Sequence, residues 1–240
     1  MTGALSACLD LLFPPVCQLC HHHRARPADG LVCPACWARV RFIRPPFCDR
    51  CGLPFAGELT TGFVCTNCHD LTFHFAWARS AVHAKSVTLE AIHRFKYSGA
   101  RWFEFFLADL LVREAAAPLR AEKWDYLVPV PLHPVKLRER EFNQAERLAS
   151  HLSRATGIPL NLDLLVRVHA TATQTLLTRA ERAANMKRAF AVPPGVPVKG
   201  RRIVLVDDVF TTGATTNAGA AALRAAGAAA VGVWTVARGL

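Results

Sequence analysis

The sequence predicts an α/β protein: a mostly parallel sheet flanked by helices, preceded by a small N-terminal zinc-ribbon domain. Three observations carry this. Four C-x-x-C pairs lie between residues 17 and 68. From about Phe75, short apolar runs alternate with segments of helical periodicity, the pattern of a sheet covered by helices. One of those runs, IVLV at 203–206, leads into Asp207-Asp208, then a threonine-rich bend around Gly213, then an alanine-rich helix.

The cysteine pairs come first in the chain. Cys17/Cys20, Cys33/Cys36, Cys48/Cys51 and Cys65/Cys68 are separated by twelve, eleven and thirteen residues, which suits short hairpins. Two thiolates three positions apart grip one metal through a tight turn, and two such turns complete a tetrahedron. The region is rich in Pro and polar residues, and a structural zinc supplies roughly 10–16 kcal/mol of apparent binding energy, enough to order it. Two structural zincs with four thiolates each follow. Sequential pairing, first with second and third with fourth, gives two ribbons; a crossed pairing fits the spacing as well. His21, His22, His23 and His69 read as solvated residues, because the cysteines already fill both sites.

The composition restricts the classes. The chain has 240 residues, 52% of them hydrophobic, so disorder is excluded as its general state. Its 29 Lys and Arg against 18 Asp and Glu give a net charge of +11, which favours an anionic partner. No apolar run is long enough to span a bilayer, so membrane insertion is not expected. Leu5, Cys8, Leu9 and Leu12 fall at helical spacing, with Cys8 a small core residue; the stretch lacks a basic lead and carries Asp10, unlike a secretory signal. A cytoplasmic location with reduced thiols is the expectation.

AWARSAVHA predicts a strand, and SVTLEAIHRFKYSG a helix with Leu89, Ile92, His93 and Phe95 on one side. Arg101 to Glu114 predicts a second helix, carrying Phe103, Phe106, Leu107, Leu110 and Leu111. DYLVPVPLH reads as a short buried strand running into a loop. Asn143 to Thr156 predicts a helix with Ala145, Leu148, Ala149 and Leu152 inward, closed by Gly157. IVLV is a strand, Thr215 to Ala226 a helix, and VGVWTVA a closing strand. The expected boundaries are 1–72 for the N-terminal helix and double ribbon, and 73–240 for the sheet domain.

In such sheets, ligands sit beyond the carboxyl ends of the strands, where Asp207 and Asp208 fall. The bend Thr211-Thr212-Gly213-Ala214-Thr215 leads into a helix N-terminus, whose unpaired N–H groups and positive dipole end suit a phosphate. The carboxylates would repel that phosphate, so they face something else; a ribose diol fits. A Walker B strand is disfavoured because no G-x-x-x-x-G-K-[ST] occurs. A receiver domain would need most of its fold after the acidic pair, and only Val209 to Leu240 follow.

VLVDDVFTTGATT resembles the phosphoribosyl pyrophosphate motif of type I phosphoribosyltransferases. Within that superfamily the whole chain resembles the ComF/GntX family, linked to DNA uptake in natural competence. FKYSG at 95–99 is similar to the family's F-K-Y-x-G, PVPLHPVKLREREFNQAE at 129–146 to its P-V-P-L-H…R-x-R-G-F-N-Q, and TQTLLTRAERAANMKRAF at 173–190 to its T/Q…L…R…N…A-F, with zinc-ribbon pairs ahead of all three. Glu141 departs from the pattern, standing where the family has Gly. If that position needs positive φ, Glu strains the loop, and it adds negative charge near a diphosphate.

The resemblance implies a type I phosphoribosyltransferase-like fold whose ligand is phosphoribosyl pyrophosphate with Mg²⁺. It implies an enzyme that transfers the phosphoribosyl group to an acceptor the sequence does not name. Asp207 and Asp208 would hold the ribose hydroxyls. Thr211, Thr212, Gly213, Ala214 and Thr215 would cradle the 5′-phosphate, and Leu132 and His133 would face the diphosphate. Lys96 and Arg138, followed by Arg140, Arg179 and Arg182, are candidates to neutralise it. His133 and Asn143 have a second reading as loop buttress and helix cap, and the stretch from His169 to Arg188 reads as a loop closing over the site. The alternative is an accessory protein for DNA uptake that binds single-stranded DNA, or proteins of the competence machinery, and uses the site to sense its ligand.

Overall fold

The computed structural model describes residues 15–57, 62–69, 71–168 and 189–239. The helix expected around Leu5–Leu12 and the closing segment His169–Arg188, with Arg179 and Arg182, lie outside the described residues. A 3₁₀ turn (Pro27–Asp29) and two four-residue helices, α1 (Pro34–Trp37) and α2 (Thr66–His69), punctuate the cysteine-rich segment.

Strands β1 (Trp77–His83) and β2 (Tyr126–Pro129) belong to the main sheet, and β3 (Val166–Arg167) and β4 (Phe190–Ala191) form a small antiparallel ladder. With β5 (Arg202–Phe210) and β6 (Ala230–Arg238) the main sheet runs β1-β6-β5-β2, every pair parallel. Around it pack α3 (Ser86–Tyr97), α4 (Phe103–Ala121), α6 (Gln144–Thr156) and α7 (Ala214–Ala225), while α5 (Pro134–Arg140) buries none of its residues. Among the described residues no helix is long and apolar enough to cross a membrane.

Alternation along β5 divides the interior. Val204 and Val206 join a core with Phe103, Phe106, Leu107, Leu148 and Leu152 from α4 and α6. Ile203 and Leu205 join a second core with Ala220 and Leu223 from α7. Successive side chains of a strand point to opposite faces, so the fully apolar centre of β5 feeds both. Each fully buried Leu or Phe contributes about 1.5–3 kcal/mol.

Several elements differ from expectation. Helix α4 runs two turns beyond Glu114, because Ala115, Ala116 and Leu119 continue its buried stripe past Pro118. Helix α3 buries Val87, Thr88, Ala91, Ile92 and Phe95; Leu89 and His93, expected inward, are exposed. The stripe at 88, 91/92 and 95 fixes the rotation of the helix, and Leu89 and His93 fall outside it. Strand β5 passes through both aspartates to Phe210, because β6 pairs with it as far as Arg238. Helix α6 follows the sequence reading: Asn143 caps it by accepting from the Ala145 N–H at 3.0 Å, and Gly157 closes it at φ 76°.

The cysteine-rich segment lies along the free edge of β1. The Ile43 N–H donates to the Ala81 carbonyl, the His83 N–H to Arg41 and the Ala78 N–H to Arg50.

Candidate functional site

Residues 17, 20, 33 and 36 form one cluster of four thiols and residues 48, 51, 65 and 68 another, the sequential pairing. Sulfur separations are 3.8 Å for Cys17–Cys36, 3.7 Å for Cys20–Cys33, 3.8 Å for Cys48–Cys68 and 3.6 Å for Cys51–Cys65. Four Zn–S bonds of about 2.3 Å at tetrahedral angles set sulfurs about 3.8 Å apart, so both clusters fit zinc. The clusters repeat one detail: the Cys33 N–H points at Cys17 Sγ (3.4 Å) and the Cys65 N–H at Cys48 Sγ (3.3 Å). Against burial, the backbone N–H groups of Cys51, Cys65 and Arg50 bring the Cys48 thiol down to about 7. The backbone N–H of His22, with the His23 side chain, brings the Cys20 thiol down to about 5. His21, His22 and His23 are exposed. With four sulfur ligands each, these are closed structural sites.

The second region is the carboxyl end of β5. Asp207 follows the Ile203/Leu205 face and Asp208 the Val204/Val206 face. Asp207 lines a hollow of about 30 Å³ together with Val209, Phe210 and Thr211 to Thr216. The acid and the threonine bend therefore sit side by side. Gly213 caps α7 in the left-handed region (φ 78°), and a Cβ there would lie 2.4 Å from the Phe210 ring, so glycine is required twice over. Thr211, Thr212 and Ala214 are exposed, Thr215 is half-buried, and no acidic residue lies in the first turn of α7.

Asp208 is buried and turned to the opposite face, where Lys96 Nζ from the end of α3 lies 2.6 Å from its Oδ2. The contact is an ion pair whose angle departs from a hydrogen bond. Lys96 in this state neutralises an acid rather than a ligand. The Asp208 N–H donates to Asp207 Oδ1 at 2.9 Å. Burial, and then the charge of Asp208, push the Asp207 carboxyl up to about 7, against the opposing pull of Lys96.

The loop after β2 starts beside these acids. Pro129 pairs with Val206, and the Val130 N–H donates to the Val206 carbonyl. Asn143 Nδ2 holds the Val130 carbonyl at 3.2 Å, so the α6 cap also fixes this loop. Leu132 and His133 are half-buried, and His133 Nδ1 accepts from the Val135 N–H at 3.3 Å, capping α5. Arg138 is exposed on α5, and the Arg140 guanidinium stacks 4.9 Å over Tyr97. Glu141 does adopt positive φ (64°), and its carboxylate meets Arg101 at 2.8 Å, so its added charge is paired.

Sequence reasoning missed three residues near the site. Arg167, on β3, lies within Coulomb reach of Asp207 and stacks 5.4 Å over Phe190. Asn217 Oδ1 accepts from the His74 N–H at 2.6 Å and its Nδ2 donates to the Thr72 carbonyl at 2.9 Å, tying α7 to the segment leaving Cys68. Arg238 ends the apolar strand β6 and is buried beneath the bend. Its position after VGVWTVA was the available signal.

A double zinc ribbon joined to a phosphoribosyltransferase-type domain is the class that these features define. Residues 8–69 match the family described as double zinc ribbon domain, and residues 143–240 the phosphoribosyl transferase domain. Competence protein F of Haemophilus influenzae is 32% identical over 219 residues, covering 88% of this chain and 92% of that protein. DNA utilization protein YhgH of Escherichia coli K12 is 34% identical over 235 residues, covering 96% of this chain and 100% of the relative. The chain belongs to the ComF family. Among solved structures, glutamine phosphoribosylpyrophosphate amidotransferase from B. subtilis is 27% identical with a TM-score of 0.36, covering 53% of this chain and 24% of that one.

Proposed function

We propose that this chain binds phosphoribosyl pyrophosphate with Mg²⁺ at the carboxyl edge of its sheet and transfers the phosphoribosyl group to an acceptor. The observation that carries the reading is the shared hollow of Asp207 and the Thr211–Thr216 bend. One short span of chain offers an acceptor for sugar hydroxyls and, beside it, a helix N-terminus for a phosphate tail.

In this reading the amides and hydroxyls of Thr211, Thr212, Gly213, Ala214 and Thr215 hold the 5′-phosphate. Asp207 accepts from the ribose hydroxyls. Asp208, kept in place by Lys96, completes the acidic couple on the other face. Leu132 and His133, anchored through Asn143, face the diphosphate, and Arg138, exposed on the helix that follows, is a candidate to neutralise it. Asp207 would hold the ribose hydroxyls directly or through Mg²⁺, and the ion would supply charge neutralisation on the diphosphate. The bond from ribose C1 to diphosphate oxygen breaks, its electron pair leaves with diphosphate, and the acceptor's lone pair closes on C1. The protein contributes positioning and charge stabilisation, with no covalent intermediate of its own. The residues divide at 72/73 between ribbon and sheet domains, and the reduced thiols of the clusters suit the cytoplasm.

Calorimetry with phosphoribosyl pyrophosphate and Mg²⁺ tests this: wild type is expected to bind, and Asp207→Asn/Asp208→Asn to lose the heat. Equal binding by the double variant overturns the site. Because the Asp207 carboxyl sits near 7, affinity is expected to rise from pH 6 to pH 8 as it ionises, and Asp207→Asn to flatten that slope. The sign for folding is the reverse. A raised carboxyl stabilises the fold below its ordinary range near 4, and this contribution is lost as pH climbs through 7. Asp207→Asn therefore gains thermal stability over wild type at pH 8 and little at pH 4.

The names of the relatives, competence protein and DNA utilization protein, favour a role in handling DNA, and the net charge of +11 suits it. If the site only senses its ligand, single-stranded DNA binds with a steep salt dependence and no diphosphate appears with any acceptor base.

A further inference from the structure

We infer that Arg238 is a positioning residue that ties the phosphate bend to the second cysteine cluster, so that metal at that cluster sets the aim of the bend. This rests on the reading of residues 211–215 as the phosphate site.

Arg238 is 5% exposed, yet among the described residues it makes no ion pair with a carboxylate. A buried guanidinium requires compensation. Its plane lies 4.5 Å over the Phe210 ring. Nη1 donates to the carbonyls of Phe210 (3.3 Å) and Thr211, and Nη2 reaches Cys51 Sγ at 3.7 Å. Cys65 and Cys68 also lie within its Coulomb reach. Four thiolates around one Zn²⁺ carry a net charge of about −2. The loaded cluster is thus the counter-charge that makes burial of this arginine favourable.

The carbonyls it holds are the two at the entrance of the bend. In a trans peptide the C=O and the following N–H point in opposite directions. Pinning the Phe210 and Thr211 carbonyls back toward the cluster turns the N–H groups of Thr211 and Thr212 the other way. Those are two of the donors a phosphate would meet. Two further ties act in the same sense. The Gly239 N–H also donates to the Phe210 carbonyl at 2.9 Å, and Asn217 fastens α7 to Thr72 and His74. The Phe210 ring is the fulcrum: Phe75 meets it edge-on at 6.0 Å from the cluster side, and Gly213 rests over it.

The test uses full-length, zinc-loaded protein. Arg238→Ala is expected to keep two zincs per chain, to exchange the Gly239 amide, which donates to the Phe210 carbonyl, at least tenfold faster, and to bind ribose 5-phosphate at least tenfold more weakly. Millimolar guanidinium, entering the space left by the side chain, is expected to restore slow exchange, whereas an alkylammonium of similar size is not. Arg238→Lys, a second variant should the first fail to fold, keeps the charge without the fork and shows intermediate exchange. Wild-type exchange and affinity in both variants would overturn the proposal. If wild type binds neither ribose 5-phosphate nor phosphoribosyl pyrophosphate, the ligand reading fails, while the exchange rates and their rescue still decide the role of Arg238.

Discussion

The two cysteine clusters share one internal geometry but have different neighbours. The first packs against α4: Cys17, Cys33 and Cys36 lie in the core with Phe103 and Phe106, and Trp37 meets Phe106 edge-on at 4.8 Å. The second lies on the other face of the sheet with Phe73, Phe75 and Phe210, and touches Arg238 and the segment held by Asn217. One device therefore does two jobs. In the first place it props a helix; in the second it stands behind the threonine-rich bend. Sequence repetition of the cysteine pairs gives no hint of that asymmetry, which comes from where the sheet inserts.

The largest test of the contrast removes one ligand from each cluster. A structural zinc contributes roughly 10–16 kcal/mol of apparent binding energy, so either change lowers thermal stability sharply. Cys65→Ser is expected to weaken ligand binding at least tenfold in the protein that remains folded, and Cys36→Ser to leave affinity within about threefold. Calorimetry beside a metal count checks both, and equal losses of affinity break the contrast. A smaller effect is expected from Gly213→Ala. It meets the Phe210 ring at 2.4 Å and sits at φ 78°, so stability falls by about 1–2 kcal/mol and ligand affinity falls with it. The smallest effect sharpens the comparison from outside. Glu141→Gly relieves a left-handed residue remote from both clusters and raises stability by up to about 1 kcal/mol in chemical denaturation, with zinc content unchanged.

Much of this was legible because it is local. Asn143 and Gly157 mark the ends of α6 by cap chemistry alone, and Gly213 announces a left-handed turn wherever the chain goes. The two faces of β5 were also readable in principle, since adjacent aspartates on one strand must point apart. What escaped depended on distant partners. Strand β5 is longer than its apolar run because β6 continues beside it. Lys96 reads as a free cation until the fold places Asp208 against it. The choice between sequential and crossed cysteine pairing lay in tertiary placement, since the spacing fits both.

The backbone that runs along β1 has a consequence for how the protein can be divided. Residues 41–43 and 50 occupy hydrogen-bonding groups of Ala78, Ala81 and His83 that would otherwise face solvent. On the other side, Pro159 and Asn161 do the same for Leu127 on β2. Bare strand margins invite other chains to add to them. A fragment starting at residue 73 would keep the sheet but lose its guard on one side, and would be prone to stick to itself. The ribbons are thus a border to the sheet as well as a pair of zinc-fitting clusters, and the halves are best handled as one piece.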